Sequence, residues 1–272
     1  GIMKQTRIGV AVSGRDASET IAYIERLEKM GIPAAWLTSG GAGGDALTTF
    51  AAAAVRTRSI LLGTSIMPIY PRHPVIAVQQ VQAIASLAPG RFRFGVGPSH
   101  KATMEGTFGY DFKAPLTHLK EYVHIVKTLL TKGAVDYDGR FYKAHARIPA
   151  PVDVPVMASA LRLKSFELCG EISDGAISWV CPGVYLRGIA LPAMSAGARK
   201  AGRPVPPLIA HAPVCVHDNT AEVYAAAREQ ISHYPRVPFY ASMFTDAGFP
   251  EVKEGTWSDR MIDAVVLSGN ES

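Results

Sequence analysis

Apolar positions along this chain follow two rhythms that take turns. "RIGVAV" (7–12), "AAWLT" (34–38), "SILLGTSI" (59–66) and "RFRFGVG" (91–97) are short, mostly apolar runs and read as buried strands. Longer stretches follow each of them. In "ETIAYIERLEKMG", Ile21, Ile24, Leu27 and Met30 recur at helical spacing and Gly31 marks the stop. "DALTTFAAAAVRT" begins at Asp45, a side chain suited to an N-cap. "HPVIAVQQVQAIASLAPG" and "PLTHLKEYVHIVKTLLTKG" supply the third and fourth helices.

The strand-then-helix alternation repeats four times at roughly 30 residues, the length of one βα unit. "VDYDGRFYKAHARI" interrupts it, and Asp138-Gly139 between two β-rich runs signals a hairpin. The alternation then resumes through "VPVMAS", "LRLKSFELCGEIS", "DGAISWV", a helix over 186–201, "PPLIAHAPVCVH" and a helix from Asn219 to about His233. Residues 238–272 read as further helices and loops. Seven strands alternating with helices point to a parallel α/β sheet, open and doubly wound or closed as a barrel.

A dinucleotide fold needs G-x-G-x-x-G after an early strand. "SGRDAS" fails that test, and "GVGPSH" has His100 where the third glycine belongs. "GGAGGD" (40–45) fits neither that fingerprint nor a phosphate-binding Walker loop. The expected fold is therefore a (β/α)8 TIM barrel: one domain over residues 1–272, with a small β-hairpin insertion and one strand short.

Composition narrows the chemistry. The chain has 272 residues, 48% of them hydrophobic, and no run of 18 apolar residues that would span a membrane. "GIMKQTRIGVAV" lacks a signal peptide's apolar core, and Gly1 and Ile2 ahead of Met3 read as a tag remnant. Cys169, Cys181 and Cys215 are odd in number and form no C-x-x-C, which argues against a disulfide framework or structural zinc and for a reducing cytoplasm. The net charge of +5 is spread over dispersed basic residues, so a small anionic molecule fits it better than nucleic acid.

In a barrel the chemistry sits at the C-terminal strand ends. The residues there are Ser13, Ser39 with the 40–44 glycine loop, 65–70, Gly97 to His100, Ser159 to Arg162, Trp179 and His211. Paired acids and H-E-x-x-H are both missing from this set, which weakens glycoside hydrolysis and zinc chemistry. Its Gly, Ser, Thr and apolar side chains suit a large flat ligand, with a cofactor carrying the chemistry. "LLGTSIMPIYPRHP" (61–74) places prolines at 68, 71 and 74, the spacing of a polyproline II ligand as well as of a stiff active-site rim.

"LGTSIMPIYPRHPVIAVQQVQAIASLAPGRFRFGVGPSH" resembles the luciferase-like monooxygenase superfamily, in its branch of deazaflavin (coenzyme F420)-dependent oxidoreductases. "FKAPLTHLKEYVHIVKTLL", "DYDGRFYKAHARI", "VPVMASALRLKSFELCGEISDGAISW" and "CPGVYLRGIALPAMSAGARKAGR" follow in the family's order, so the likeness covers about residues 7–234. It implies a barrel, a flavin-type cofactor and redox chemistry. It also implies a non-prolyl cis peptide at Ser65-Ile66, with Ile66 backing the central ring and Pro68 and Pro71 stiffening the loop beyond. Gly97, Pro98, Ser99 and His100 match the loop that approaches the pyrimidine edge, with His100 as the catalytic candidate. Ser159, Leu161 and Arg162 match the start of the helix that receives the cofactor's phosphate. Ser39 and Trp179 line the same mouth, while Trp36 reads as core or wall.

Two departures stand out. Many relatives end the second strand in an acid or a histidine, whereas this chain has Ser39-Gly40, which supplies no strong base. His100 or His211 is then left to move the proton, with Glu105 and Tyr110 in the following loop. The family closes its barrel with an eighth strand, while this sequence stops at "VVLSGNES"; a partner chain or residues outside it are expected to cover the gap. The leading expectation is hydride transfer between coenzyme F420 and a small organic substrate, in a homodimer that binds neither nucleic acid nor membrane. The alternatives are an FMN-dependent monooxygenase and a non-catalytic barrel of the same fold.

Overall fold

The computed structural model describes residues 8–270. The reading of Gly1 and Ile2, the Arg7 start of the first strand and the last two residues of "VVLSGNES" lie outside that range. The chain divides into two compact units, one ending at Ser159 and the other beginning at Ala160.

The first unit is a parallel sheet with its helices. Strands β1 (Gly9–Ala11), β2 (Ala34–Leu37), β3 (Leu61–Thr64), β5 (Phe92–Gly97) and β8 (Val156–Ser159) pair in that order, and the two-residue β4 (Met67–Pro68) pairs with β5. Helices α1 (Ala17–Lys29), α2 (Ala46–Arg56), α3 (Pro74–Leu87), α4 (Lys101–Gly106) and α5 (Pro115–Lys132) connect them. The helix signals work as the residue types dictate. Asp16 and Asp45 accept hydrogen bonds from the amides of Glu19 and Thr48, both at 2.8 Å, and so cap α1 and α2. Pro74 opens α3, where a missing N–H costs nothing. Ile24, Phe50, Leu62 and Phe94 are fully buried between helices and sheet.

The hairpin is present. β6 (Ala134–Asp138) and β7 (Lys143–Arg147) pair antiparallel, and Gly139 N donates to Tyr142 O at 2.8 Å across the turn. The segment from 101 to 106, which the sequence leaves in a loop, is helix α4. Met104 is its one buried side chain, so no apolar period announces it.

The second unit contains α6 (Leu163–Ile172), β9 (Ala176–Trp179), α7 (Gly183–Tyr185), a π turn (Leu186–Ala190) and α8 (Leu191–Lys200). β10 (Leu208–His211), β11 (Val214–Val216), α9 (Thr220–Gln230), α10 (Pro238–Asp246), α11 (Asp259–Val265) and β12 (Leu267–Gly269) complete it. β9 and β10 pair in parallel, Trp179 opposite His211. "PPLIAHAPVCVH" is not one strand. It breaks around Pro213, whose ring removes an amide from the ladder, and β11 pairs with β12 instead.

The closed (β/α)8 barrel is corrected to an open parallel α/β sheet. Among the described residues β1 pairs with β2 alone, and the last strand of the chain is taken up by β11. Closure would have required that last strand to pair along the free edge of β1. None of Cys169, Cys181 and Cys215 forms a disulfide.

Candidate functional site

In the first unit the ends of β2, β3, β5 and β8 lie side by side and bring most of the expected residues together. β3 stops at Thr64 because Thr64 Oγ1 leaves its own strand to bond β5, donating to Gly95 O and accepting from Gly95 N, both at 2.8 Å. The next peptide, Ser65-Ile66, is cis. Ser65 is tied to β2 on both sides: its N donates to Leu37 O at 2.9 Å, and its O accepts from Thr38 Oγ1 at 2.6 Å. Ser39 N donates to Ile66 O at 3.3 Å. The chain then rejoins the sheet through β4, and Ile69 N donates to Gly97 O at 3.0 Å.

The proline-rich stretch is therefore a rim built into the sheet. Pro68, Ile69 and Tyr70 are buried, which leaves no exposed helix for a polyproline-binding domain to grasp. Gly97, Ile66 and Ser159 meet closely. A Cβ at Gly97 would stand 2.2 Å from Ser159 Oγ and 3.2 Å from Ile66 Cδ1, so only glycine fits there. Ile66 and Ser159 remain half-buried at this junction. Next to it, a Cβ at Gly40 or Gly44 would meet nothing within 4 Å, so the glycine loop borders open space.

Ser39 has a duty the sequence did not announce. Its buried Oγ accepts the Ala46 amide at 2.8 Å and holds the start of α2, leaving its own proton and one lone pair to offer a ligand. Asp45 and Arg72 close the far side of the glycine loop with a 2.8 Å ion pair. Burial pushes the Asp45 carboxyl up, but hydrogen bonds from Arg72 and Thr48 outweigh it and hold the group below its usual range. No sequence signal links these two residues, which stand 27 positions apart.

Pro98 and Ser99 are half-buried, and Ser99 has φ +64°, a left-handed turn that sends the chain from β5 into α4. His100 is exposed at the first position of that turn into α4, and its ring caps no helix amide. Trp36 is wall, as expected: it is buried, and Cβ atoms at Gly9 and Gly63 would stand 2.9 and 2.5 Å from its ring.

The second unit carries its own group. Residues 159–164 read as a helix start that presents amides; within it Ser165 Oγ accepts those of Leu161 and Arg162, at 3.0 and 3.1 Å. The Leu161 carbonyl is likewise taken by Tyr185 Oη at 2.7 Å. The helix begins at Leu163, so the amides without helical partners are those of Leu163 and Lys164. The Arg162 side chain does stand at this end. Its Nη2 donates to Asp246 at 3.2 Å, while its Nε is buried without a partner. Asp246, the last residue of α10 and 84 positions away, was not foreseen. Trp179 ends β9 half-buried, its indole edge-on to Tyr234, and the hydroxyl of fully buried Ser178 has no partner. Opposite Trp179, burial pushes the His211 imidazole below its ordinary value and so favours the neutral ring.

The model of the luciferase-like monooxygenase family matches residues 1–259. Over 185 residues the chain is 32% identical to a 5,10-methylenetetrahydromethanopterin reductase of Methanolobus tindarius, covering 66% of this chain and 56% of that protein. Over 217 residues it is 30% identical to an F420-dependent glucose-6-phosphate dehydrogenase of Kribbella flavida, covering 72% and 64%. The chain thus spans between about half and two thirds of the length of these curated relatives. Among solved structures, an F420-dependent secondary alcohol dehydrogenase in complex with an F420-acetone adduct shares the fold, with a TM-score of 0.80 at 19% identity over 97% of this chain and 86% of the other.

Proposed function

The chain belongs to the luciferase-like monooxygenase family, and from that premise we propose that it is an oxidoreductase that uses coenzyme F420 on a small organic substrate. The observation that carries the reading is the junction of Ile66, Gly97 and Ser159 beside the open glycine loop. The side chains at that junction are small or apolar and its carbonyls at Ile66 and Gly97 are already bonded within the sheet, which suits the face of a flat polycyclic ring. Bound there, a deazaflavin supplies a hydride donor or acceptor.

This chain's residues provide the surroundings. Ile66 backs the ring, Gly97 makes room for the Ser159 side chain, and the hydroxyls of Ser39 and Ser159 offer polar contacts at its edge. His100 is the group proposed to move the substrate proton, since the second strand ends in Ser39-Gly40. In the second unit, Arg162 Nε and the first amides of α6 are donors without acceptors, a pair that fits an anionic or carbonyl-bearing group.

Fluorescence quenching of oxidised coenzyme F420 and of FMN by the protein, at equal salt, tests the reading. Micromolar or tighter binding of the deazaflavin in preference to FMN is expected. Preference for FMN would move the chemistry to monooxygenation, and no binding of either would overturn the assignment. His100→Gln is expected to lower turnover roughly a hundredfold while leaving cofactor affinity unchanged.

A further inference from the structure

The segment after β5 carries a run of aromatic rings that the cofactor site does not use. Phe108 and Tyr110 have centroids 6.0 Å apart, Tyr110 lies 6.3 Å from Tyr70, and Tyr70 stacks on Phe112 at 5.1 Å. At the inner end His118 sits 4.2 Å from Tyr70, with its Nδ1 buried and unpartnered. These spacings fall in the range of offset and tilted ring contacts. Tyr70 follows directly on Ile69, whose amide is bonded to Gly97, so the ladder starts at the strand-end site and runs outward.

Burial decreases along it. Tyr70 is 8% exposed, whereas Phe108 and Tyr110 are 37% and 39% exposed. Rings that served only to pack the loop would be expected to lie deeper. The loop is held in shape without the Phe108 and Tyr110 rings: Tyr110 N donates to Met104 O at 3.1 Å, Tyr70 Oη donates to Lys113 O at 3.3 Å, and Gly109 takes a left-handed turn at φ +71°. Its lysines face carboxylates: Lys113 pairs with Asp111 at 2.7 Å and Lys101 with Glu105 at 3.9 Å, so the positive charge of both is locally offset. The rings, not the charges, are the surface the loop presents.

We propose that Tyr70, Tyr110 and Phe108 form the wall on which the substrate lies, and that this substrate is an uncharged compound with a planar, conjugated ring, not a sugar phosphate. The assignment rests on the oxidoreductase reading above and names the substrate class for it. Offset stacking on Tyr110 and Phe108 supplies the affinity.

The probe is 2-naphthol, whose own fluorescence reports its surroundings, titrated into the full chain alone and with saturating coenzyme F420. Saturable binding is expected in both cases, and Phe108→Ser/Tyr110→Ser weakens it about tenfold or more, with circular dichroism and cofactor affinity unchanged. Where the double variant fails to fold, Tyr110→Leu removes one ring at similar volume, and about threefold weakening is expected. Affinity unchanged by these variants, or displacement by an equal concentration of glucose 6-phosphate, overturns the proposal. Naphthol bound with neither F420 nor FMN bound sinks the oxidoreductase reading and leaves the ring wall standing. Cofactor bound without naphthol sinks the ring wall alone.

Discussion

Gly63 lies in the middle of β3, where glycine usually weakens a strand, and Trp36 on the neighbouring strand explains it. A Cβ at Gly63 would come within 2.5 Å of the Trp36 ring, and Gly9 gives way to the same indole from the other side. Gly63→Ala is therefore expected to cost about 1–3 kcal/mol as an overpacking change, read as a lower urea midpoint at unchanged slope. A melting curve identical to the wild type would show that the indole has room to move. The sequence marks Trp36 as wall from its apolar neighbours, but it gives no hint that two glycines are required by it. Ser39 shows a similar gap: its type and place were legible, while its bond to the Ala46 amide depends on where α2 begins.

Among the elements, the β6–β7 hairpin is the clearest case of a correct reading for an incomplete reason. Asp138-Gly139 predicts a tight turn with φ > 0, yet Gly139 is not in the left-handed region. What requires glycine there is Glu121 of α5, which is buried and accepts the Phe141 amide through Oε2 at 3.0 Å. A Cβ at Gly139 would fall 1.5 Å from Glu121 Oε1. Gly139→Ala is expected to unseat the carboxylate and raise amide exchange in β6 and β7, and exchange rates equal to wild type would refute that role. The hairpin also responds to pH. His145 lies 3.1 Å from Asp136 through Nδ1 and 3.1 Å from Asp138 through Nε2, and since ionised carboxylates only accept, the doubly protonated ring is the form that makes both bonds. The bonds to Asp138 and Asp136 raise the imidazole above its ordinary value of 6.5. The ion pairs thus contribute fully below about pH 6.5 and are lost as pH rises through the raised folded value. Protection factors in β6 and β7, corrected for intrinsic exchange, should fall across that window in the wild type and stay flat in His145→Ala. Solvent exposure keeps the effect small.

At the scale of the whole molecule, the proposed cofactor links binding to stability. A ligand that binds only the folded chain adds about 2.7 kcal/mol at a hundred times its Kd. Saturating coenzyme F420 is thus expected to raise the melting temperature by several degrees, and more in low salt than in high if anionic groups take part in binding. A melting temperature indifferent to the cofactor would count against the reading.

The linear sequence by itself determined the alternation of buried strands and amphipathic helices, the cap at Asp45, the hairpin and the family, because these depend on neighbours within a few residues and on motif order. Only the tertiary structure decided that the sheet stays open, that "PPLIAHAPVCVH" splits at Pro213, and that Arg162 leans on Asp246. It also decided which helix-start amides stay open, because Ser165 Oγ takes those of Leu161 and Arg162. Each of these is set by which distant groups compete for one backbone edge or one polar atom, and local periodicity holds no record of that competition.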